Sequence, residues 1–273
     1  MMANFFTTRL RRFAMIGALL ALAACSSDDL PYVERPAGDI YAIGLREFNE
    51  GNYRQAAAWF NEVERQHPYS EWATRSQLMA AYAFYEGLRY EDAISQLDRF
   101  IAVHPGNPNI AYAYYLKGVS YYEQISDVRR DQTATAQALA SLSEVVRRFP
   151  GTAYARDAQL KIDLTRDHLA GQSMEIGRFY LFRGIYPAAI GRFQEVVNNY
   201  QTTTHTPEAL HRLTEAYLAL GLREEAGRTA ALLGYNFPDS DWYQDTFALM
   251  NAEGETIGGE NRGWFARAFD SIF

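Results

Sequence analysis

Residues 53–68, YRQAAAWFNEVERQHP, and residues 90–105, YEDAISQLDRFIAVHP, are one pattern written twice, 37 residues apart. In each, an aromatic is followed after three residues by alanine, after seven by a large apolar residue and after fifteen by proline. The frame returns as Ala138, Leu142, Val145 and Pro150, as Ala189, Phe193 and Val196, and as Ala226, Ala230, Leu233 and Pro238. Alanine and proline stand twelve residues apart in four of the five copies, and Gln201 replaces proline in the fourth. Apolar side chains at i, i+4 and i+7 make one face of a helix. Proline ends that helix, because it lacks the N–H and its ring clashes with the preceding turn.

Each copy has an earlier half. The stretches YAIGLREFNEGNY (41–53), LMAAYAFYEGLRY (78–90), AYYLKGVSYYEQI (113–125), MEIGRFYLFRGIY (174–186) and LTEAYLALGLREE (213–225) place small or aromatic residues at helical spacing, mostly followed by glycine. A helix, a glycine-bearing turn, a second helix and a closing proline form the tetratricopeptide (TPR) pattern, with a period of about 34 residues. Small residues such as Gly44, Ala81, Gly118 and Gly177 let paired helices approach closely. A single hairpin leaves an apolar face uncovered, so stacking has to supply the core. The expected fold is all-α, a TPR solenoid of five helix-turn-helix repeats.

Two departures interrupt the frame. In repeat three, Gly118 and Ala138 are twenty residues apart instead of twelve, so eight extra residues within QISDVRRDQTATAQ (124–137) lengthen the connection between its helices. After Pro150, the stretch 152–184 contains no proline and carries Leu160, Leu164 and Leu169 at helical spacing. It predicts a long helix leading into repeat four, with Gly171 as the place for a bend. The departures are either tolerated variation or the material of a partner surface.

The single cysteine lies in LLALAACSSDD (19–29). Upstream come Arg9, Arg11 and Arg12, then twelve apolar residues, FAMIGALLALAA. That is the layout of a secretory signal peptide, and the run is shorter than the roughly 20 residues a membrane span needs. Leu22-Ala23-Ala24-Cys25 resembles a bacterial lipobox, in which the cysteine becomes the acylated first residue of the mature chain. Each buried methylene contributes about 0.8 kcal/mol, and more than one acyl chain gives stable anchoring. Ser26, in place of an aspartate, favours the cell outer membrane, with the fold facing the periplasm. Loss of residues 1–24 removes three arginines and no acid, which takes the formal charge from −7 to −10. An acidic chain without a basic run argues against nucleic acid and against a polybasic membrane patch. The expected organisation is a signal peptide over 1–24 and a lipidated tether over 25–38. The solenoid follows over 39–245, then a Gly-rich linker and short amphipathic helix over 246–273.

Nothing in the chain announces chemistry. The histidines, His67, His104, His168, His205 and His211, fall in different units without an i, i+4 pair, so no metal site is expected. There is no glycine-rich phosphate loop, no G-x-S-x-G and no carboxylate pair that stands out. No catalytic residue and no cofactor are expected, and an enzyme hidden in the insertion has no residues to support it. Tyrosine is what stands out: nineteen in all, clustered in AYAFYEG (81–87) and AYAYYLKGVSYYEQ (111–124). TPR first helices line the concave side of a superhelix, and the frame assigns Tyr41, Tyr82, Tyr85, Tyr112, Tyr115 and Tyr122 to that side, with Arg75 nearby. Such rings offer apolar area with a polar tip, suited to an extended peptide with aromatic or aliphatic ends. For any one ring, filling space between repeats is an equal alternative. Near the C-terminus, Phe265, Phe269, Ile272 and Phe273 share one helical face that could serve its own solenoid, a membrane surface or a partner; self-docking ranks first.

With the lipobox, five repeats and the segment DRFIAVHPGNPNIAYAYYLKGVSYYEQI (98–125) in view, the chain resembles the BamD family, lipoproteins of the outer-membrane β-barrel assembly (BAM) machinery. The resemblance covers roughly residues 25–245 and is carried by Asp98-Arg99-Phe100-Ile101, the His104-Pro105 and Pro108-Asn109-Ile110 turn, the insertion ending RRDQ, and RDHLAGQSMEIGRFY (166–180). The tail after about residue 250 departs from the family pattern. The resemblance implies a scaffold for protein insertion into the membrane. It would hold the periplasmic POTRA region of the barrel protein BamA through its C-terminal repeats and meet unfolded barrel precursors through its N-terminal ones. Other BAM lipoproteins are further implied partners. Mapped here, the tyrosines of repeats one to three are the candidate precursor groove, and Arg183, Arg192 and Glu195 are candidate contacts on the partner surface. The alternative is another envelope TPR lipoprotein, an adaptor for peptidoglycan or pilus machinery.

Overall fold

The computed structural model describes residue 30, residues 33–127 and residues 130–255, apart from the side chains of 253–255. The expected signal peptide, the lipidated Cys25 and the amphipathic C-terminal face lie outside the described residues. Eleven α-helices occupy the described chain: α1 (Ala37–Asn49), α2 (Tyr53–Gln66), α3 (Glu71–Glu86), α4 (Tyr90–Val103), α5 (Ile110–Tyr122), α6 (Thr133–Arg148), α7 (Ala153–Phe182), α8 (Tyr186–Asn199), α9 (Thr206–Ala219), α10 (Arg223–Asn236) and α11 (Asp241–Glu255). No strand occurs among the described residues. The chain forms two compact units, one ending at Gln96 and the other beginning at Leu97, so the division falls within α4.

In the first unit α1 packs on α2 and α2 on α3. Its core is Ile40, Tyr41, Ala56, Ala57, Phe60, Val63, Ala80 and Ala83, with Trp59 and Trp72 against it. In the second unit α5 packs on α6, α6 on α7, α7 on α8, α8 on α9 and α9 on α10. Ala170, Met174, Ala189, Phe193, Val196 and Leu213 are central to the core there. The close approach expected of the small residues has a specific partner. A Cβ added to Gly44 would stand 2.8 Å from the Phe60 ring, one on Gly118 2.8 Å from Leu142, and one on Gly177 2.4 Å from Phe193. Glycine and knob are sixteen residues apart in the first and last of these and twenty-four in the second, which accounts for the eight inserted residues. In the fifth repeat the frame carries Thr214 and Ala230, both fully buried, so volume moves from the second helix to the first.

The helix ends follow from the sequence between them. Ser70 caps α3, its hydroxyl accepting from Ala73 N at 3.2 Å, and Thr152 caps α7 through Ala155 N at 3.1 Å. Both sit just past a closing proline. Residues 123–132 separate α5 from α6, against three-residue turns in the other hairpins.

The long helix expected over 152–184 is present, and the boundary at residue 245 needs correction. Helix α7 runs thirty residues, with Gly171 buried within it. Ala155, Ala158, Ile162 and Thr165 face inward, whereas Leu160 and Leu164 are 65% and 59% exposed. Helix α7 lies close to α5 and α6, and the small side chains suit that approach while the large ones are left outside. Finally, packed structure extends past residue 245, because α11 crosses that position and packs on α9 and α10.

Candidate functional site

The first unit assembles an aromatic row from four helices. Phe48 on α1 meets Tyr53 at 5.3 Å between ring centroids and Tyr82 on α3 at 5.2 Å. Tyr82 stacks on Tyr85 at 6.4 Å with 14° between planes, and Tyr85 meets Tyr90 at the start of α4 at 5.7 Å. Residues 82 and 85 are three apart on one helix, and the glycine turn folds α4 back beside them. The rings of Tyr82 and Tyr85 are half-buried. Burial raises the Tyr82 phenol, and its hydrogen bond to the Glu86 carboxylate raises it further, so it stays a neutral donor. Tyr41 stands differently. It is a core residue, 8% exposed, between Phe60 at 5.4 Å and Trp72 at 5.0 Å. Burial raises its pKa, and the positive charge of Arg75 acts the other way. Arg75 is exposed and lies over Trp72, 5.6 Å from the centroid. At this end the surface offered is therefore Trp72 and Arg75, with Tyr41 beneath.

The second unit holds the other three tyrosines against α7. Tyr112 and Tyr115 both meet Tyr154, at 5.5 and 5.3 Å. The Tyr115 hydroxyl donates to Asp157 Oδ2 at 2.6 Å, and Lys161 Nζ donates to the same oxygen at 2.8 Å. These two bonds, that from Lys161 first, hold the Asp157 carboxyl below its usual range. Lys161 also lies 5.8 Å from the Tyr122 ring centroid. Asp157 and Lys161 are i, i+4 on α7, which lets one carboxylate serve an ammonium on its own helix and a phenol on α5. The sequence reading missed Tyr154, Asp157 and Lys161. Their only local signal is that i, i+3/i+4 spacing just after the Thr152 cap.

The hairpin of α7 and α8 carries the remaining candidates. Arg183 follows the end of α7, exposed, with its guanidinium 4.7 Å from the Phe179 centroid. Phe182 beside it is 83% exposed, and Phe179 and Ile185 are exposed too. Three exposed apolar side chains and a cation thus fall within seven residues at this turn, a composition that suits protein binding. Arg192 and Glu195 pair with each other on α8, at 3.1 Å. Behind the hairpin, Arg178 on α7 binds both oxygens of Glu208 on α9 at 3.0 and 2.9 Å and Glu175 at 2.6 Å. That fork fixes the end of α7 on which the apolar cluster stands.

Comparison with known proteins bears on what such surfaces serve. Residues 33–233 match the family model described as YfiO, outer membrane lipoprotein. A Caulobacter vibrioides protein named outer membrane protein assembly factor BamD is 56% identical over 225 residues, 82% of this chain and 74% of the relative. Its namesake from Rickettsia prowazekii is 46% identical over 232 residues, 85% of this chain and 92% of that one. Among solved structures, a thermophilic TPR protein of Thermus thermophilus is 19% identical, covers 78% of this chain and 98% of its own, and has a TM-score of 0.37. The matched residues take in both compact units, from the chain before α1 to the second helix of the fifth repeat, and the chain belongs to the YfiO family of outer membrane lipoproteins that includes the BamD assembly factors.

Proposed function

We propose that the chain is a lipid-anchored periplasmic scaffold of outer-membrane protein assembly, and that it acts by holding polypeptides without catalysing a reaction. The assembly role rests on the names of its relatives. Acylation at Cys25 rests on the lipobox pattern and the family description. The observation that carries the binding reading is the aromatic row from Tyr53 to Tyr90. Its half-buried rings can receive apolar side chains of an extended strand. Unfolded barrel precursors are the strands we assign to it and to the Tyr112–Tyr115–Tyr154 group. The exposed cluster of Phe179, Phe182, Arg183 and Ile185, with Arg192 and Glu195 on the same hairpin, is assigned to the POTRA region of a BamA-type barrel protein. Other lipoproteins of the machinery complete the set of partners. A photo-crosslinking residue placed at Tyr82 and at Tyr115 in intact cells tests the precursor assignment. The expected adducts are outer-membrane barrel precursors at both positions; adducts only to unrelated periplasmic proteins would reject it.

A further inference from the structure

Val33 and Arg35, just before α1, are tied to the end of α2. The Arg35 backbone N–H donates to Gln66 Oε1 at 3.1 Å, and Gln66 Nε2 donates to the Val33 carbonyl at 3.0 Å. One side-chain amide thus takes a donor and an acceptor from the same non-helical segment. His67 Nε2 lies 2.6 Å from the Arg35 carbonyl. A carbonyl only accepts, so that ring nitrogen carries the hydrogen. The Arg35 guanidinium covers Trp59, 5.8 Å from its centroid. The clamp is itself braced: Glu62, 6% exposed, accepts from Gln66 Nε2 and from Arg65 Nε and Nη2 at 2.6 and 2.7 Å. Further back, Leu30 lines a cavity of about 250 Å³ with Arg54, Ala58, Asn61, Arg65 and Phe84. Positions 54, 58, 61 and 65 follow i, i+4, i+7, i+11, one face of α2.

We propose that this face of α2 is a binding site for an extended polypeptide strand, filled by the chain's own tether, and that its occupancy sets how far the first repeat stands from the membrane. The second part rests on acylation of Cys25. Gln66 and His67 read backbone groups, and Trp59 with Glu62 behind favours a cationic side chain, which Arg35 supplies. Leu30 and residues 33–36 are held, so the span from Cys25 to the held chain is five residues long. At about 3.6 Å per residue it reaches at most about 18 Å. An undocked tether would be free from Cys25 to Ala37, twelve residues, and reach about 43 Å. Docking removes more than half of that reach and holds the first unit against the headgroups.

The test uses the full-length acylated protein in vesicles of phosphatidylethanolamine and phosphatidylglycerol containing a nitroxide-headgroup lipid. Tyr69→Cys takes a fluorophore, since this residue is fully exposed and two positions past His67, and an acylated Cys25 offers no thiol. Cleavage after Glu34 by a glutamate-specific protease reports docking, and quenching by the nitroxide reports height. In Gln66→Ala and His67→Ala, cleavage should quicken about ten-fold and quenching fall to less than about half. Arg35→Ala, outside every helix, should give a smaller increase in cleavage and covers the case in which the α2 variants lose their fold. Equal cleavage in parent and variants would overturn the site, and equal quenching despite faster cleavage would overturn its role in height. Failure of the parent to float with the vesicles would dismiss the acyl anchor alone, since protection of Glu34 still judges the docking.

Discussion

Leu88 has φ of +57°, in the hairpin position where Gly51, Gly184 and Gly221 have +80°, +70° and +74°. The left-handed region costs a side-chain-bearing residue roughly 1–2 kcal/mol, part of which a glycine returns through its larger freedom when unfolded. Leu88 is 72% exposed, so its side chain contributes little core. Leu88→Gly is therefore expected to stabilise the protein by about 0.5–1 kcal/mol, read as a higher urea midpoint with an unchanged slope. Gly177 predicts the opposite sign from the same amino acid. A Cβ there would stand 2.4 Å from the Phe193 ring, which is fully buried and cannot retreat. Gly177→Ala should cost about 2 kcal/mol. Helix propensity alone would make this second substitution favourable. Equal or greater stability in Gly177→Ala would mean that the two helices are not held at glycine distance.

The helices themselves were legible because a frame repeated in one phase fixes both their starts and their closing prolines. Helix α11 was not, since the frame ends at Pro238 and the inward positions after it are Thr246 and Met250, not a run of large apolar residues. Beside the packing of Met250 on Ala226 and Ala230, α11 is held by a polar contact that no spacing rule contains. His211 on α9 is 8% exposed, and its Nδ1 lies 2.8 Å from Thr246 Oγ1, which donates its own hydrogen to the Trp242 carbonyl at 2.7 Å. The hydroxyl hydrogen is thereby spent, so His211 donates from Nδ1 and is neutral at Nε2. Burial lowers its pKa below the ordinary 6.5, and the positive charge of Arg212 adds to this, against opposing carboxylates of Glu215, Asp245 and Glu208. The unfolded chain thus takes up a proton that the folded chain refuses. The contribution of a neutral His211 is complete above about pH 6.5 and is lost as pH falls from there through the lower folded value. Thermal midpoints should drop between pH 7.5 and 5.5, and His211→Asn should flatten that slope. A midpoint that rises on acidification would show the imidazole to be better protonated in the fold.

At the scale of the molecule, the sequence marked out candidate tyrosines and arginines but could not see their contact partners. Tyr115 bonds to Asp157 and Arg178 to Glu208, 42 and 30 residues away, and such pairs depend on how helices stack. Conversely, Tyr41 was indistinguishable from Tyr82 by spacing, and only packing sends one to the core and the other to the surface row. The exposed aromatics of the α7–α8 hairpin had no signature at all, because exposure of a phenylalanine is a property of its neighbours. The three regions should fail separately. Cys25→Ser should release the protein from membranes and leave its fold intact. Phe182 touches solvent over most of its surface, so Phe182→Ser should barely alter stability, yet as the exposed centre of an apolar cluster it fits a binding hot spot. In a pull-down from detergent-solubilised membranes, Phe182→Ser combined with Arg183→Ala is expected to recover about ten-fold less of a POTRA-bearing barrel protein. The same variant should keep its membrane attachment and its crosslinks from Tyr82. Undiminished recovery would move the partner surface off this hairpin. Loss of the Tyr82 crosslinks as well would mean that precursor binding depends on the partner being held.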